Sequence, residues 1–270
     1  MDAAPPPTAW EPLTPMGVAT FARAPLRRLL LAQFLVALLV GGTVAWLVRD
    51  AYFPTIGAAI AELPAEGEIR SGRLDWRGGS PQLLAEGKYL AFSVGLEHAG
   101  EFRSPAHVQL EFGKTNLLIH SLLGYASVGY PRGWIIAANR TELSPHWGAW
   151  RPWLLVVIVL GVELYLLASW WVLATLYCVP IWLIGFFLNR ELGWRASWRL
   201  AGAALLPGAC VMVVGLSFYD LGALDLVRLG FVFVAHLAVG WIYLGVSFLF
   251  IPQLADITKP KANPFDLAKK

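Results

Sequence analysis

Charge is scarce in this chain. Lys, Arg, Asp and Glu make up 14% of the 270 residues, against a hydrophobic share of 57% and a mean hydropathy of +0.58. A soluble domain carries about 25% charge, so so little charge excludes an ordinary water-soluble globule. Cysteine is scarcer still. Cys178 and Cys210 both lie inside apolar runs, which excludes a disulfide framework and a cysteine metal site and leaves them as small packing residues. The basic residues are not clustered into one face of the kind a nucleic acid would need. Nucleophile elbows, phosphate-binding loops and metalloprotease helices are absent from the sequence. His98, His107, His120 and His146 are too far apart for a local metal motif.

What the chain does have is long apolar runs. Between Trp153 and Leu188 the sole charged residue is Glu163. Such a run is too long for a buried core helix and predicts a bilayer crossing. Leu29 to Val48 is a second run, preceded by Arg23, Arg27 and Arg28, which places the N-terminus in the cytoplasm. It ends in Trp-Leu-Val-Arg rather than a cleavage site, so it reads as an anchor and not a signal peptide. Leu200–Phe218 and Leu229–Pro252 are the remaining runs.

The resulting division is a disordered, proline-rich cytoplasmic leader at 1–28 and a transmembrane helix at 29–48. An extracytoplasmic α+β domain covers 49–151, a transmembrane bundle 152–252, and a flexible tail 253–270. The domain at 49–151 holds ten Lys/Arg and ten Asp/Glu, a soluble composition. A short helix from Pro54 to Leu63 starts on a proline. Lys88–Leu96 and Val108–Phe112 alternate with period two and predict half-buried strands. Glu68–Trp76 and Trp134–Ala138 are further strand candidates, Gly78–Pro81 is a turn, and the sheet is expected to be antiparallel.

The long run poses the main topological question. As one helix it would rise about 54 Å, well beyond a hydrocarbon core of about 30 Å. As two crossings it would lack turn chemistry at Ser169-Trp170-Trp171. Arg190, Arg195 and Arg199 read as cytoplasmic, Asp220, Asp225 and Arg228 as outside, and the lysines at 259, 261, 269 and 270 as cytoplasmic. One crossing satisfies all three, with a kink at Pro180 allowed for. The fold class expected is therefore a membrane α-helical bundle with four transmembrane helices and a small extracytoplasmic α+β domain after the first. Five helices with an external C-terminus is the alternative.

Candidate functional residues fall in three groups. Ala37, Gly41 and Ala45, and further on Ala204 and Gly208, are small residues at spacing four that let helices approach closely, within the bundle or in a dimer. Pro207 is a candidate kink between the second pair. Glu163 and His236 are intramembrane polar groups, costly in lipid and in want of a partner. Arg190, Trp194, Arg195, Trp198 and Arg199 pair cations with aromatics, which suits anionic lipid headgroups. The Asn139-Arg140-Thr141 triplet matches a glycosylation acceptor by coincidence.

The order of elements resembles a family of bacterial membrane proteins catalogued as domain of unknown function 1189, distantly similar to Yip-type membrane proteins. The resemblance is carried by Glu62-Leu63-Pro64, by Gly72-Arg73-Leu74 and, most specifically, by LNRELGWRASWRLAGAALLP from Leu188 to Pro207. It implies an anchor helix, an extracytoplasmic domain and a helical bundle in the bacterial inner membrane, and no catalytic residues. The function expected is a non-enzymatic membrane component without cofactors, which binds a partner or ligand through its extracytoplasmic domain and docks or stabilises a larger inner-membrane assembly. Its partners would be membrane lipids and other membrane subunits, not nucleic acid. The alternative is transport or lipid handling through Glu163 and His236.

Overall fold

The computed structural model describes residues 11–97, 103–121 and 124–254. It divides into two compact units, Met1–Thr43 with Val159–Lys270, and Val44–Ile158. Among the described residues, four helices are long and apolar enough to cross a membrane.

The first unit is helical. It holds α1 (Pro15–Phe21), the first part of α2 (Leu26–Ala51), the last part of α4 (Arg140–Phe187), α5 (Trp194–Asp220), α6 (Leu226–Ser247) and a 3-10 turn at Phe248–Phe250. The long apolar run is one unbroken helix, with no turn at Ser169–Trp171 and helical assignment continuing through Pro180. Its 48 residues rise about 72 Å. The stripe it buries is Glu163, Trp170, Ala174, Cys178, Ile181 and Gly185, spaced by fours, a three and a seven along one face.

The leader departs from expectation. Residues 1–10 lie outside the described residues, but residues 15–21 form α1 instead of disordered chain. Thr14 caps it, its hydroxyl accepting from Gly17 N at 3.1 Å, and Pro15 occupies the first turn, where its missing N–H costs nothing. Val18 and Phe21 are fully buried. The Tyr243 hydroxyl donates to Leu13 O at 2.8 Å, and Ser247 Oγ lies 2.9 Å from Pro15 O. Seven residues are too few to display a helical period, so only the cap signature was there to be read. The tail lies outside the described residues from residue 255 onward.

The second unit is mostly β. Helix α3 (Phe53–Ala61) forms where a short helix was expected, starting one residue before Pro54, which lies in its first turn, and ending two residues short of Leu63. The stretch 68–76 is a hairpin rather than one strand. β1 (Gly67–Arg70) and β2 (Arg73–Trp76) are joined through Ser71 and Gly72, at φ 53° and 76°. Positive φ at both central residues is what a tight hairpin turn demands. β8 (Ile135–Ala137) pairs with the other side of β1. A second sheet has the order β3 (Gln82–Glu86), β4 (Leu90–Val94), β5 (Val108–Phe112), β6 (Asn116–Ser121), β7 (Gly124–Gly129). It is mixed, not antiparallel, because β4 and β5 run parallel. Period-two patterning fixes faces but not strand direction. β4 is also not half-buried: Leu90, Ala91, Ser93 and Val94 are buried, so both of its faces are covered. Ala59 of α3, Leu84 and Val94 form the core, with Trp76, Phe92 and Phe112 packed against it.

Candidate functional site

The small residues of α5 are where two helix backbones meet. A Cβ on Gly208 would lie 2.5 Å from the His236 carbonyl oxygen, and one on Gly240 would lie 3.3 Å from that of Ala204. The same seam continues at Gly215, against the side chain of Val232. In α2, a Cβ on Gly41 would lie 3.1 Å from Val159 O, Ala37 is fully buried and Ala45 is buried. The contacts at Gly41, Ala204 and Gly208 are therefore within the chain rather than surfaces left open for a second copy.

One polar residue that the sequence reading passed over ties three helices together. Gln33 of α2 is fully buried. Its Oε1 accepts from Trp171 Nε1 of α4 at 3.2 Å, and its Nε2 donates to Gly202 O of α5 at 3.4 Å. The signal was present: a lone amide within LLLAQFLVALLV.

A cavity of about 100 Å³ lies among α2, α4, α5 and α6, with Val40, Trp170, Tyr177, Ala204, His236 and Trp241 in its wall. Tyr177 and Trp241 close it, with ring centroids 4.7 Å apart. The wall is overwhelmingly apolar, and such a space stays dry. Among the described residues His236 makes no bond across helices. Its Nδ1 donates to Phe233 O of its own helix, which leaves Nε2 as an acceptor. Glu163 shares the inward face of α4 one turn before Leu166, a residue of the wall, but is not itself in the wall. It is 6% exposed, and its Oε1 is buried with no partner among the described residues. A buried, unpaired carboxylate oxygen is expensive.

The Arg/Trp segment does not present one face. Arg190 Nη1 donates to Ile251 O at 2.6 Å, and Arg199 Nη2 to Ala22 O at 2.7 Å. Trp198 Nε1 donates to Thr175 Oγ1 of α4 at 3.1 Å, while Trp194 and Arg195 are exposed. Arg23 pairs with Glu191. Two of the three arginines are thus turned into the protein, because the chain between α4 and α5 packs against the α1–α2 connection. At the opposite turn, Asp225 caps α6, its Oδ1 accepting from Arg228 N at 2.7 Å, and the two side chains pair at 3.5 Å.

In the second unit the alternation of Gln109 and Glu111 does not give a solvated face. Both are buried. Gln109 Nε2 donates to Ser93 Oγ at 2.9 Å, and Gln109 Oε1 accepts from Ser104 N at 3.0 Å. Glu111 Oε2 lies 3.3 Å from His120 Nε2. This row joins β4, β5 and β6 as a hydrogen-bonded layer. Among the described residues no group of three His, Cys, Asp or Glu side chains could hold a metal ion, and His98 lies outside them. The Asn139 triplet is a helix start. Asn139 is buried, its Oδ1 accepts from Glu142 N at 2.9 Å, its Nδ2 donates to Gly67 O at 3.0 Å, and Thr141 Oγ1 donates to Ala65 O.

The five-stranded sheet ends in β7, GYASVG, every residue of which is exposed, with Tyr125 77% and Val128 51% accessible. Among the described residues it pairs with β6 and with no other strand. An open edge of this kind exposes a row of unpaired backbone N–H and C=O groups, and proteins usually blunt it with Lys, Pro or a bulge. β7 has neither residue type. Comparison of the chain with protein-family models, curated proteins and solved structures finds no match.

Proposed function

We propose that this chain is a non-enzymatic, multi-pass component of the bacterial inner membrane, with its N-terminus in the cytoplasm. Its extracytoplasmic domain binds an extended segment of a partner protein by strand addition along β7, and its helices hold that domain in a larger assembly. The observation that carries this reading is the uncharged, proline-free, fully exposed edge strand. Main-chain hydrogen bonds along such an edge supply affinity, and alternate side chains such as Tyr125 and Ser127 supply selectivity. Purification from native membranes in a mild detergent should bring down a stoichiometric partner. Tyr125→Lys with Val128→Lys should release it while leaving the chain folded. A monodisperse monomer without a partner, or a partner retained by the lysine variant, contradicts the reading.

A second reading, transport or lipid handling, is favoured by the unpartnered Oε1 of Glu163. Trp198 meets α4 at Thr175, and Glu163 is about 18 Å of helix rise from that level. With Trp198 at the level of the headgroups, that depth is past the middle of a core of about 30 Å. Glu163→Gln combined with His236→Ala should then abolish the cellular phenotype at normal protein level. An unchanged phenotype sinks this reading.

A further inference from the structure

A hollow of about 360 Å³ opens beside the α1–α2 connection. Its polar lining is Thr20, Arg23, Arg28 and Glu191, and Met16 and Phe250, both largely exposed, give it an apolar rim. The first turn of α2 also opens onto it through Pro25 and Arg28, and a helix N-terminus adds a positive field. Two further cations build the wall. Arg199 holds the Ala22 carbonyl and Arg190 the Ile251 carbonyl, and both Ala22 and Ile251 line the hollow. Each of these guanidiniums keeps a buried Nε without a partner among the described residues. Two guanidiniums, Arg23 and Arg28, thus share the lining with one carboxylate, Glu191, which is half-exposed and engaged by a half-exposed Arg23. A pair this open is weak, so a stronger anion can displace it.

We propose that this hollow binds the phosphate headgroup of an anionic membrane lipid. Arg23 and Arg28 contact the phosphate, and the acyl chains leave over Met16 and Phe250. The shared chemistry is a phosphate oxyanion, which arginine forks recognise. The apolar rim and the four membrane-length helices of the chain favour a lipid over a free ion. The sequence-level reading put headgroup contacts on the 190–199 segment. The geometry instead gives Arg190 and Arg199 the task of holding the wall, and moves the contact to Arg23 and Arg28. The inference rests on the bundle lying in a membrane and not on strand addition at β7. A chain that captured no partner yet held anionic lipid would remove the one reading and keep the other.

The test is native mass spectrometry of the full chain released from detergent, titrated with phosphatidylglycerol or phosphatidylcholine of the same acyl chains. One phosphatidylglycerol should be retained at a far lower concentration than phosphatidylcholine. Arg23→Gln with Arg28→Gln should weaken that retention by about thirtyfold, from the attraction expected of two arginines, and leave phosphatidylcholine unaffected. Arg23→Lys with Arg28→Lys should keep most of the preference. Arg27→Gln with Arg195→Gln, two exposed arginines outside the lining, should change it little. Equal retention of the two lipids by the wild-type chain overturns the proposal. So does an equal loss in the Arg27/Arg195 variant, which would mean diffuse attraction. Full displacement of the lipid by equimolar inorganic phosphate would assign the site to the free ion and also overturn it.

Discussion

Helices α4 and α5 are equally apolar and oppositely buried. In the most apolar window of α4 11% of residues are buried inside the protein, against 56% in α5. What separates them is side-chain size. The interior of α5 runs through Ala201, Gly202, Ala203, Ala204, Pro207, Gly208 and Ala209, whereas the exposed faces of α4 carry Val157, Leu164, Tyr165, Val172 and Leu176. In lipid there is no hydrophobic penalty for exposing leucine, so hydropathy stops reporting what is inside. Close packing takes over, and small residues mark it.

The sharpest way to break this comparison is to enlarge a glycine on each helix. Gly208→Leu forces a side chain into the His236 carbonyl and should cost about 3 kcal/mol, read as a fall in thermal unfolding temperature in detergent. Gly161→Leu on α4 meets nothing within 4 Å and should stay within about 0.5 kcal/mol of wild type. Equal losses would mean that α4 is as tightly packed as α5.

A smaller effect is expected at Gln33, which joins both helices to α2. Gln33→Leu removes the bonds to Trp171 and Gly202 and should cost about 1 kcal/mol, since interhelical hydrogen bonds in membranes are modest. In the second unit, Asn139→Ala removes the cap of α4 and the tie to β1. The expected loss is about 1 kcal/mol, detected as faster amide exchange in residues 140–143, with the first unit unaffected.

The smallest effect concerns alkali. Burial raises the Tyr130 phenol from its ordinary value of 10.0 to about 12, and its hydroxyl donates to Gly113 O at 3.0 Å. A folded value above the unfolded one means this contribution is intact below pH 10.0 and is lost as pH rises toward 12. Tyr130→Phe should flatten that alkaline decline, measured as unfolding temperature against pH. An unchanged slope would show that Tyr130 does not contribute to it.

The sequence made the apolar helices and two of the strands legible because each displays its own period or length. β5 occupies the residues that alternation marked, 108–112. β3 was hidden by an irregularity between Leu83 and Ala85 that breaks the period of two. β6 reads NLLIHS, three consecutive apolar residues between polar ones without alternation, and β7 has too few β-branched residues to stand out. The hairpin at 67–76 read as one strand because Arg70, Ser71, Gly72 and Arg73 continue a polar pattern through the turn. Among site residues, Glu163 and the glycine stripes were visible as residue types. Which group each one meets is a tertiary fact: Gly208 faces a carbonyl, His236 bonds to its own turn, and Glu163 Oε1 has no described partner. Arg23 and Glu191 are 168 positions apart, and no local pattern could join them.

Every functional reading depends on α4 crossing the bilayer once. Single cysteines at Ser127→Cys in β7, Ala223→Cys between α5 and α6, and Arg195→Cys at the start of α5, each exposed in the fold, test this in a background lacking Cys178 and Cys210. A membrane-impermeant thiol reagent added to intact cells should label positions 127 and 223 and reach 195 only after the membrane is opened. Labelling of 127 and 195 without 223 would mean that the long run crosses twice, and would contradict the account.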